Sequence, residues 1–261
     1  MLFKKFSISD IGNFRKRNED SYLELELELS GKNGLLMVVA DGMGGHRAGD
    51  VASRTVTESV REYIKGTNNK AYSKLLCESL IDANRNVFRT SLSNPELYGM
   101  GSTCTALLMI DGNAYIAHAG DSRAYLIRDN QTKQLTSDQT VAEEMRVSGQ
   151  ITTEDARTSP QRNILTNAVG TKDTLDVEEY DPVDIRPGDC YVLCSDGLSE
   201  YIEDDELGNI IDNHDPEDAC RLLVDIAKRR GGRDNITVQV VKVVNSNSGP
   251  TRNLLKKILN K

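Results

Sequence analysis

Residues 35–46 read LLMVVADGMGGH. The six apolar residues that open this stretch form a run short enough for a buried strand. The run ends on a carboxylate, Asp41, and passes straight into a glycine-rich loop closed by His46, one of three histidines in the chain. A strand of this kind must be covered by other elements, and it delivers Asp41 to a place where the backbone can turn freely.

Working outward, residues 22–29, YLELELEL, alternate apolar and acidic side chains, the period of a strand with one buried and one wet face. The glutamates are expected to face water. Further strands are expected at 102–110, 113–118, 123–128, 190–194 and 236–244, most of them bounded by Gly, Asp or Asn, with DGN at 111–113 as a hairpin turn. Helical spacing places Tyr72, Leu75, Leu76, Leu80, Ala83 and Val87 on one stripe, and Ala219, Leu222, Leu223, Ile226 and Ala227 on another. Residues 48–64 read as a third helix directly after the glycine loop. Strands in antiparallel runs with helices inserted in blocks, not alternating one for one, point to a layered α+β fold.

The 261 residues suffice for one sizeable core. With 38% hydrophobic and 28% charged residues, the composition fits one globular domain over 1–244. No apolar run approaches the roughly 20 residues of a membrane span, and the N-terminus carries no apolar secretory segment, so a cytoplasmic monomer is expected. After Val244, NSNSGP reads as a linker and TRNLLKKILNK as a short basic helix that packs on the domain; together they form a tail over 245–261. The five cysteines, at 77, 104, 190, 194 and 220, are odd in number and contain no C-x-x-C, which argues against a disulfide framework or a zinc knuckle. Cys104 and Cys194 lie in apolar runs and read as core residues. A net charge of −8 argues against a nucleic-acid surface.

Five aspartates stand beside these elements: Asp20, Asp41, Asp121, Asp196 and Asp234. Any one of them could be an ordinary turn residue. If the strands share one core, however, their ends bring carboxylates within about 5 Å of one another, where each like-charge pair costs about 3 kcal/mol at an effective dielectric near 20. No basic residue directly flanks Asp41, Asp121 or Asp196. Divalent cations would neutralise such a cluster, and oxygen ligands with almost no histidine or thiolate suit Mg²⁺ or Mn²⁺ over zinc.

RKRNED, VVADGMGGHRAGDVAS, MGSTCTALL, HAGDSRAYL, VLCSDGLSE and GGRDNITV, in this order and spacing, resemble the metal-dependent phosphatases of the protein phosphatase 2C family, bacterial branch. The resemblance spans roughly residues 5–244. It implies a four-layer αββα sandwich, two antiparallel sheets packed face to face with helices outside, and a two-metal site at one end. By that resemblance Asp41 bridges the two metals and Gly42 offers a backbone carbonyl. Asp20 joins the second metal, with Glu19 holding a metal-bound water, while Asp196 and Asp234 serve the first. Asp121, with Asp196, would hold a weaker third ion. Arg15 occupies the position that grips the substrate phosphate; the lesser alternative is a solvated cation of the cluster Arg15, Lys16, Arg17.

The activity implied is hydrolysis of phosphoserine and phosphothreonine in proteins by a hydroxide that bridges the two Mn²⁺ or Mg²⁺ ions, opposing a bacterial Ser/Thr kinase. His46 is placed near the site and titrates in the range of a general acid for the leaving alkoxide, unless it is an idle surface histidine. His118 and His214 read as structural or solvated. Other phosphatase chemistries lack their signatures: no cysteine is followed six residues later by arginine, and neither D-x-D nor a P-loop occurs. A binding module of the same fold without catalysis remains an alternative, as does a phosphatase of an anti-sigma-factor antagonist. Residues 137–170 resemble the mobile flap beside the active site of bacterial members. Gln139 stands there where relatives often carry histidine.

Overall fold

The computed structural model describes residues 2–44, 48–67 and 69–244. His46 and the expected tail over 245–261 lie outside the described residues. In chain order the strands and helices are β1 (Leu2–Asp10), β2 (Asp20–Leu29), β3 (Lys32–Met43), α1 (Ala48–Lys65) and α2 (Tyr72–Ser93). Then come β4 (Gly101–Ser102), β5 (Cys104–Ile110), β6 (Asn113–Ala119), β7 (Arg123–Arg128), β8 (Gln131–Gln134), α3 (Val141–Val147) and α4 (Thr153–Thr158). The last are β9 (Glu178–Glu179), β10 (Val183–Asp184), β11 (Cys190–Cys194), α5 (Asp196–Ser199), α6 (Asp204–Asn213), α7 (Pro216–Arg230) and β12 (Ile236–Val244).

One antiparallel sheet runs β1-β12-β11-β7-β8 and the other β10-β6-β5-β3-β2, with β4 and β9 added at β3 and β6. The apolar run 35–40 shows why they stack. Leu35, Met37 and Val39 point inward and meet Leu107, Met109, Tyr191, Leu193, Val241 and Val243 in the core between the sheets. Leu36, Val38 and Ala40 point outward under Val56 and Val60 of α1 and Leu76 and Leu80 of α2. The opposite sheet is covered likewise, with Val192, Val238 and Val240 beneath Ala219, Leu223 and Ala227 of α7. A strand covered on both faces has no reason to alternate, hence six apolar residues in a row. Each fully buried Leu or Val contributes about 1.5–3 kcal/mol. Together the layers give the expected αββα sandwich.

The DGN hairpin forms with positive φ at both Asp111 and Gly112, the primed-turn geometry that matches strand twist. Two expectations need correction. Strand 102–110 breaks at Thr103, which leaves the ladder to bond Asp41. The glutamates of β2 do not all face water: Glu24 is half-buried, accepting from Ser7 Oγ at 2.7 Å and paired with Lys5 at 3.6 Å, because β2 lies against β1 of the other sheet. The element β1 carries no clear sequence pattern, and α6 is short, its only signal being Leu207, Ile210 and Ile211 at helical spacing.

These connections decide where the acidic residues go. In β2 and β3, Asp20 and Asp41 are paired opposite one another. Since β3 arrives at the same end of the sandwich where β11 ends and β12 begins, Asp196 and Asp234 join them, and the β6–β7 turn adds Asp121.

Candidate metal centre

Asp41 continues the inward parity of Leu35, Met37 and Val39, so its carboxylate enters the space between the sheets at the open end. Its backbone is held on both sides. Asp41 N–H donates to Thr103 Oγ1 at 2.9 Å, and its carbonyl accepts from Thr103 N–H at 2.8 Å and Ser102 Oγ at 3.0 Å. Next to it, Gly42 N–H donates to the Glu19 carbonyl at 3.1 Å. A Cβ at Gly42 would stand 2.0 Å from the Gly49 carbonyl oxygen and 2.7 Å from that of Glu19. Only glycine lets the loop cross here.

Asp20 is half-buried behind Asp41. Its Oδ2 accepts from Ser195 Oγ at 2.8 Å and Thr237 Oγ1 at 2.6 Å, while Oδ1, itself buried, has no partner. Asp196 begins α5, and its Oδ1 is likewise buried without a partner. Asp121 follows Gly120, whose φ of +113° puts the turn in the region glycine favours, and is itself only 8% exposed. Asp234 accepts from Arg15 Nη2 at 2.5 Å, and Arg15 Nη1 lies 4.0 Å from Glu19. The loop that carries Arg15 is tied down by Asn235, whose Nδ2 donates to the carbonyls of Ile11 and Arg17 and whose Oδ1 accepts from Glu19 N–H.

The carboxylates sense one another. Burial pushes Asp41 well above the usual carboxylate range, and Asp20, Asp196, Asp121 and Asp234 add to the effect. Burial, then Asp121 and Asp234, does the same to Asp196. Asp20 is pushed up to about 6 by burial, against the two hydroxyls that favour its charge. Asp121 is pushed up to about 7 by burial and then by Asp138, with Arg123 opposing.

Among the described residues no three His, Cys, Asp or Glu side chains are gathered as a finished ligand cage. The carboxylates share one region, where Asp234 is drawn to Arg15 and Asp20 Oδ2 to two hydroxyls. Of the five aspartates, two, Asp20 and Asp196, nevertheless each keep one buried carboxylate oxygen without a donor, and a buried charge without a partner costs several kcal/mol. A hard divalent cation satisfies such oxygens, and the donor set, all oxygen, fits Mg²⁺ or Mn²⁺. The residues therefore fit the metals that the motifs imply.

Of the residues singled out in the sequence, Arg15, Glu19, Asp41, Gly42, Asp121, Asp196 and Asp234 line one cleft of about 550 Å³. That is within the usual size of a ligand site. Asp20 stands behind it. The far wall is built by residues from 163–172. His118 is fully buried and His214 bonds the Ile210 carbonyl, both away from this cleft. Sequence reasoning missed Thr103, Ser195, Thr237 and Asn235, which hold the acidic residues in place. The signal was present for Thr237, a polar residue at an inward position in the apolar run ITVQVVKVV.

The protein phosphatase 2C family model matches residues 16–233. Protein phosphatase PhpP of Streptococcus pneumoniae is 35% identical over 241 residues, covering 90% of this chain and 96% of that protein. The crystal structure of the Mycobacterium tuberculosis serine/threonine phosphatase PstP/Ppp superposes with a TM-score of 0.85 at 31% identity, over 94% of this chain and 100% of that one. The catalytic domain of PstP in complex with two manganese ions superposes with a TM-score of 0.81 at 31% identity, over 93% and 99% of the two chains. The family model takes in most of the sandwich, and the chain belongs to the protein phosphatase 2C family.

Proposed function

We propose that this chain is a metal-dependent serine/threonine protein phosphatase whose centre is held by Asp20, Asp41, Gly42, Asp196 and Asp234, with Asp121 completing a weaker third position. The observation that carries this reading is the buried carboxylate cluster with two unpartnered oxygens, Asp20 Oδ1 and Asp196 Oδ1, beside a cleft where Arg15 offers a guanidinium. Two manganese ions in the structure of PstP support Mn²⁺ as the ion, with Mg²⁺ as the alternative.

When bound, the ions supply a water acidic enough to be nucleophilic near neutral pH and positive charge to meet the phosphate. The chain's own residues do the rest. Ser195 and Thr237 fix Asp20 through one oxygen and leave the other for coordination. Thr103 and Ser102 fix the backbone of Asp41. Arg15 binds phosphate oxygens with its planar fork, a geometry suited to two parallel hydrogen bonds. Glu19 stays close to Arg15 and orients water at the rim. His46 donates the proton to the departing serine or threonine oxygen. The 163–172 wall faces the substrate protein.

Among the described residues no helix is long and apolar enough to cross a membrane. On this reading the enzyme is cytoplasmic and acts in signal transduction. Its substrates are phosphoproteins, a Ser/Thr kinase and the targets of that kinase first among them. The test is turnover of a phosphothreonine peptide and of a small aryl phosphate after chelation and after Mn²⁺ is restored. Turnover only with metal is expected. Binding of phosphopeptide without turnover of either substrate would replace the enzyme by a binding module of the same fold.

A further inference from the structure

We infer that Gln139 is a positioning residue that locks the substrate-facing wall of the cleft to the turn carrying Asp121. Its side-chain oxygen sits where three segments meet. Gln139 Oε1 accepts from Gly120 N–H at 2.8 Å, in the β6–β7 turn one residue before Asp121, and from Asn167 Nδ2 at 2.7 Å, in the wall opposite the carboxylates. Both lone pairs of this one oxygen are thus used, one for each side of the site.

The backbone of the same residue repeats the link. Gln139 N–H donates to the Gly120 carbonyl at 2.7 Å, and Thr166 N–H donates to the Gln139 carbonyl at 2.9 Å. Everything between, α3 and α4 included, hangs from these two strands of chain. At its far side the segment is held by contacts of another kind: Arg157 pairs with Glu203, and Arg162 and Asn163 reach Glu200 at 3.4 and 2.7 Å, all on or next to the exposed surface. Such surface pairs contribute little and weaken in salt. The half-buried amide at 139 is therefore the firm point of the segment, and the outer ion pairs are the loose ones.

Because the link is a neutral amide, it ties the wall without adding charge beside Asp121 and Asp138. Its loss should loosen residues 163–168 without unfolding the sandwich, since the backbone bonds remain. A wall displaced by a fraction of an ångström matters for a protein substrate that spans the cleft and hardly at all for a small aryl phosphate that reaches only the centre.

This inference rests on the phosphatase reading, and the experiment separates the two. Gln139→Leu removes the acceptor, and Asn167→Ala removes the donor on the wall together with its second bond, to the Asp176 carbonyl at 2.7 Å. Gln139→Leu should lower kcat/KM for a phosphothreonine peptide by about tenfold, mainly through KM, and change aryl phosphate turnover by less than about twofold, and Asn167→Ala should lower the peptide value likewise. Gln139→His, which keeps a ring nitrogen as acceptor when neutral, should recover most of the loss at pH 8. Mn²⁺ affinity by calorimetry should not move, and amide exchange should quicken in residues 141–168 of the Leu and Ala variants. Equal loss on both substrates, or unchanged exchange in 141–168, would overturn the assignment. If the wild type turns over neither substrate with Mn²⁺, the phosphatase reading falls, while the exchange data still judge the lock.

Discussion

Arg15 Nη2 and Asp234 Oδ2 are 2.5 Å apart, so the cation assigned to the substrate phosphate is held by a carboxylate assigned to a metal. The bond to Asp234 raises the pKa of Arg15 further, and the guanidinium stays charged throughout. On the proposed assignment a metal would compete with the arginine for Asp234: a cation taking the carboxylate would release the guanidinium toward the cleft, so metal loading would make the phosphate site. Arg15→Ala should raise KM for a phosphothreonine peptide by at least about tenfold, the loss of a charge-assisted contact. It should also tighten Mn²⁺ binding by about threefold, a modest gain because the pair is half-exposed. Steady-state kinetics and calorimetry read the two effects. An unchanged KM would return Arg15 to the solvated basic face.

Asp41, half-buried, bears the repulsion of four neighbouring aspartates. Asp41→Asn removes the charge and keeps the shape. In chelator its melting temperature should rise by about 3–6 °C, since about 1–2 kcal/mol of repulsion and burial cost is relieved. The further stabilisation that Mn²⁺ gives the wild type should disappear, and turnover with it. Scanning calorimetry with EDTA and with Mn²⁺ decides the matter. An Asn variant that Mn²⁺ stabilises as strongly as the wild type would end the central role given to Asp41.

The same residues show where sequence reading succeeds and where it stops. The run 35–40 betrays its two covered faces because burial on both sides needs no polar residue, and Asp41 stands out by ending it. The aspartates could be gathered in thought because each adjoins a strand end. What could not be read was which residues the support joins, even where a polar residue in an apolar run, as at Thr237, marks one end. Thr237 bonds Asp20 across 217 positions of sequence and Gln139 bonds Asn167 across 28, and hydroxyls or amides carry no local periodicity to announce such partners. β1 is hidden in the sequence because LFKKFSISD mixes charge and apolar residues on an edge that faces both solvent and β2. Glu24 misleads for a related reason, since alternation shows that a strand has two faces but not what covers the second.

Asp121 differs from the other acidic residues in its neighbours. It is 8% exposed, at the start of the turn that Gln139 holds, and Asp138 beside it is already paired with Arg123 at 2.7 Å. Asp121→Ala leaves Asp20, Asp41 and Asp234 in place. Two tight Mn²⁺ ions should still bind by calorimetry, while phosphopeptide turnover falls at least about tenfold, a barrier rise of about 1.4 kcal/mol. A variant with lowered melting temperature and full activity would make Asp121 a turn residue only, and loss of all metal binding would place it in the main pair.

His118 gives a different handle, on acid stability. It is fully buried, and Nε2 donates toward the carbonyls of Gly120 and Ser137 at 3.0 and 3.1 Å, with Thr105 Oγ1 2.9 Å from Nδ1. Burial lowers its pKa below the ordinary histidine value, and the nearby carboxylates of Asp138 and Glu178 oppose this without prevailing. The unfolded chain therefore takes up a proton near pH 6.5 while the folded protein still refuses it. The stability contributed by the neutral ring is fully present above about pH 6.5 and is lost as the pH falls toward the folded pKa, by at most about 1.4 kcal/mol for each pH unit. His118→Gln should cost about 1–3 kcal/mol at about pH 7.5, because one of the ring's buried hydrogen bonds is left unmade. Its stability should then decline less steeply than the wild type's between about pH 6.5 and 5, as measured by urea unfolding in saturating Mn²⁺ at each pH. Parallel slopes for the two proteins would show that His118 takes its proton equally in both states and that acid sensitivity arises elsewhere.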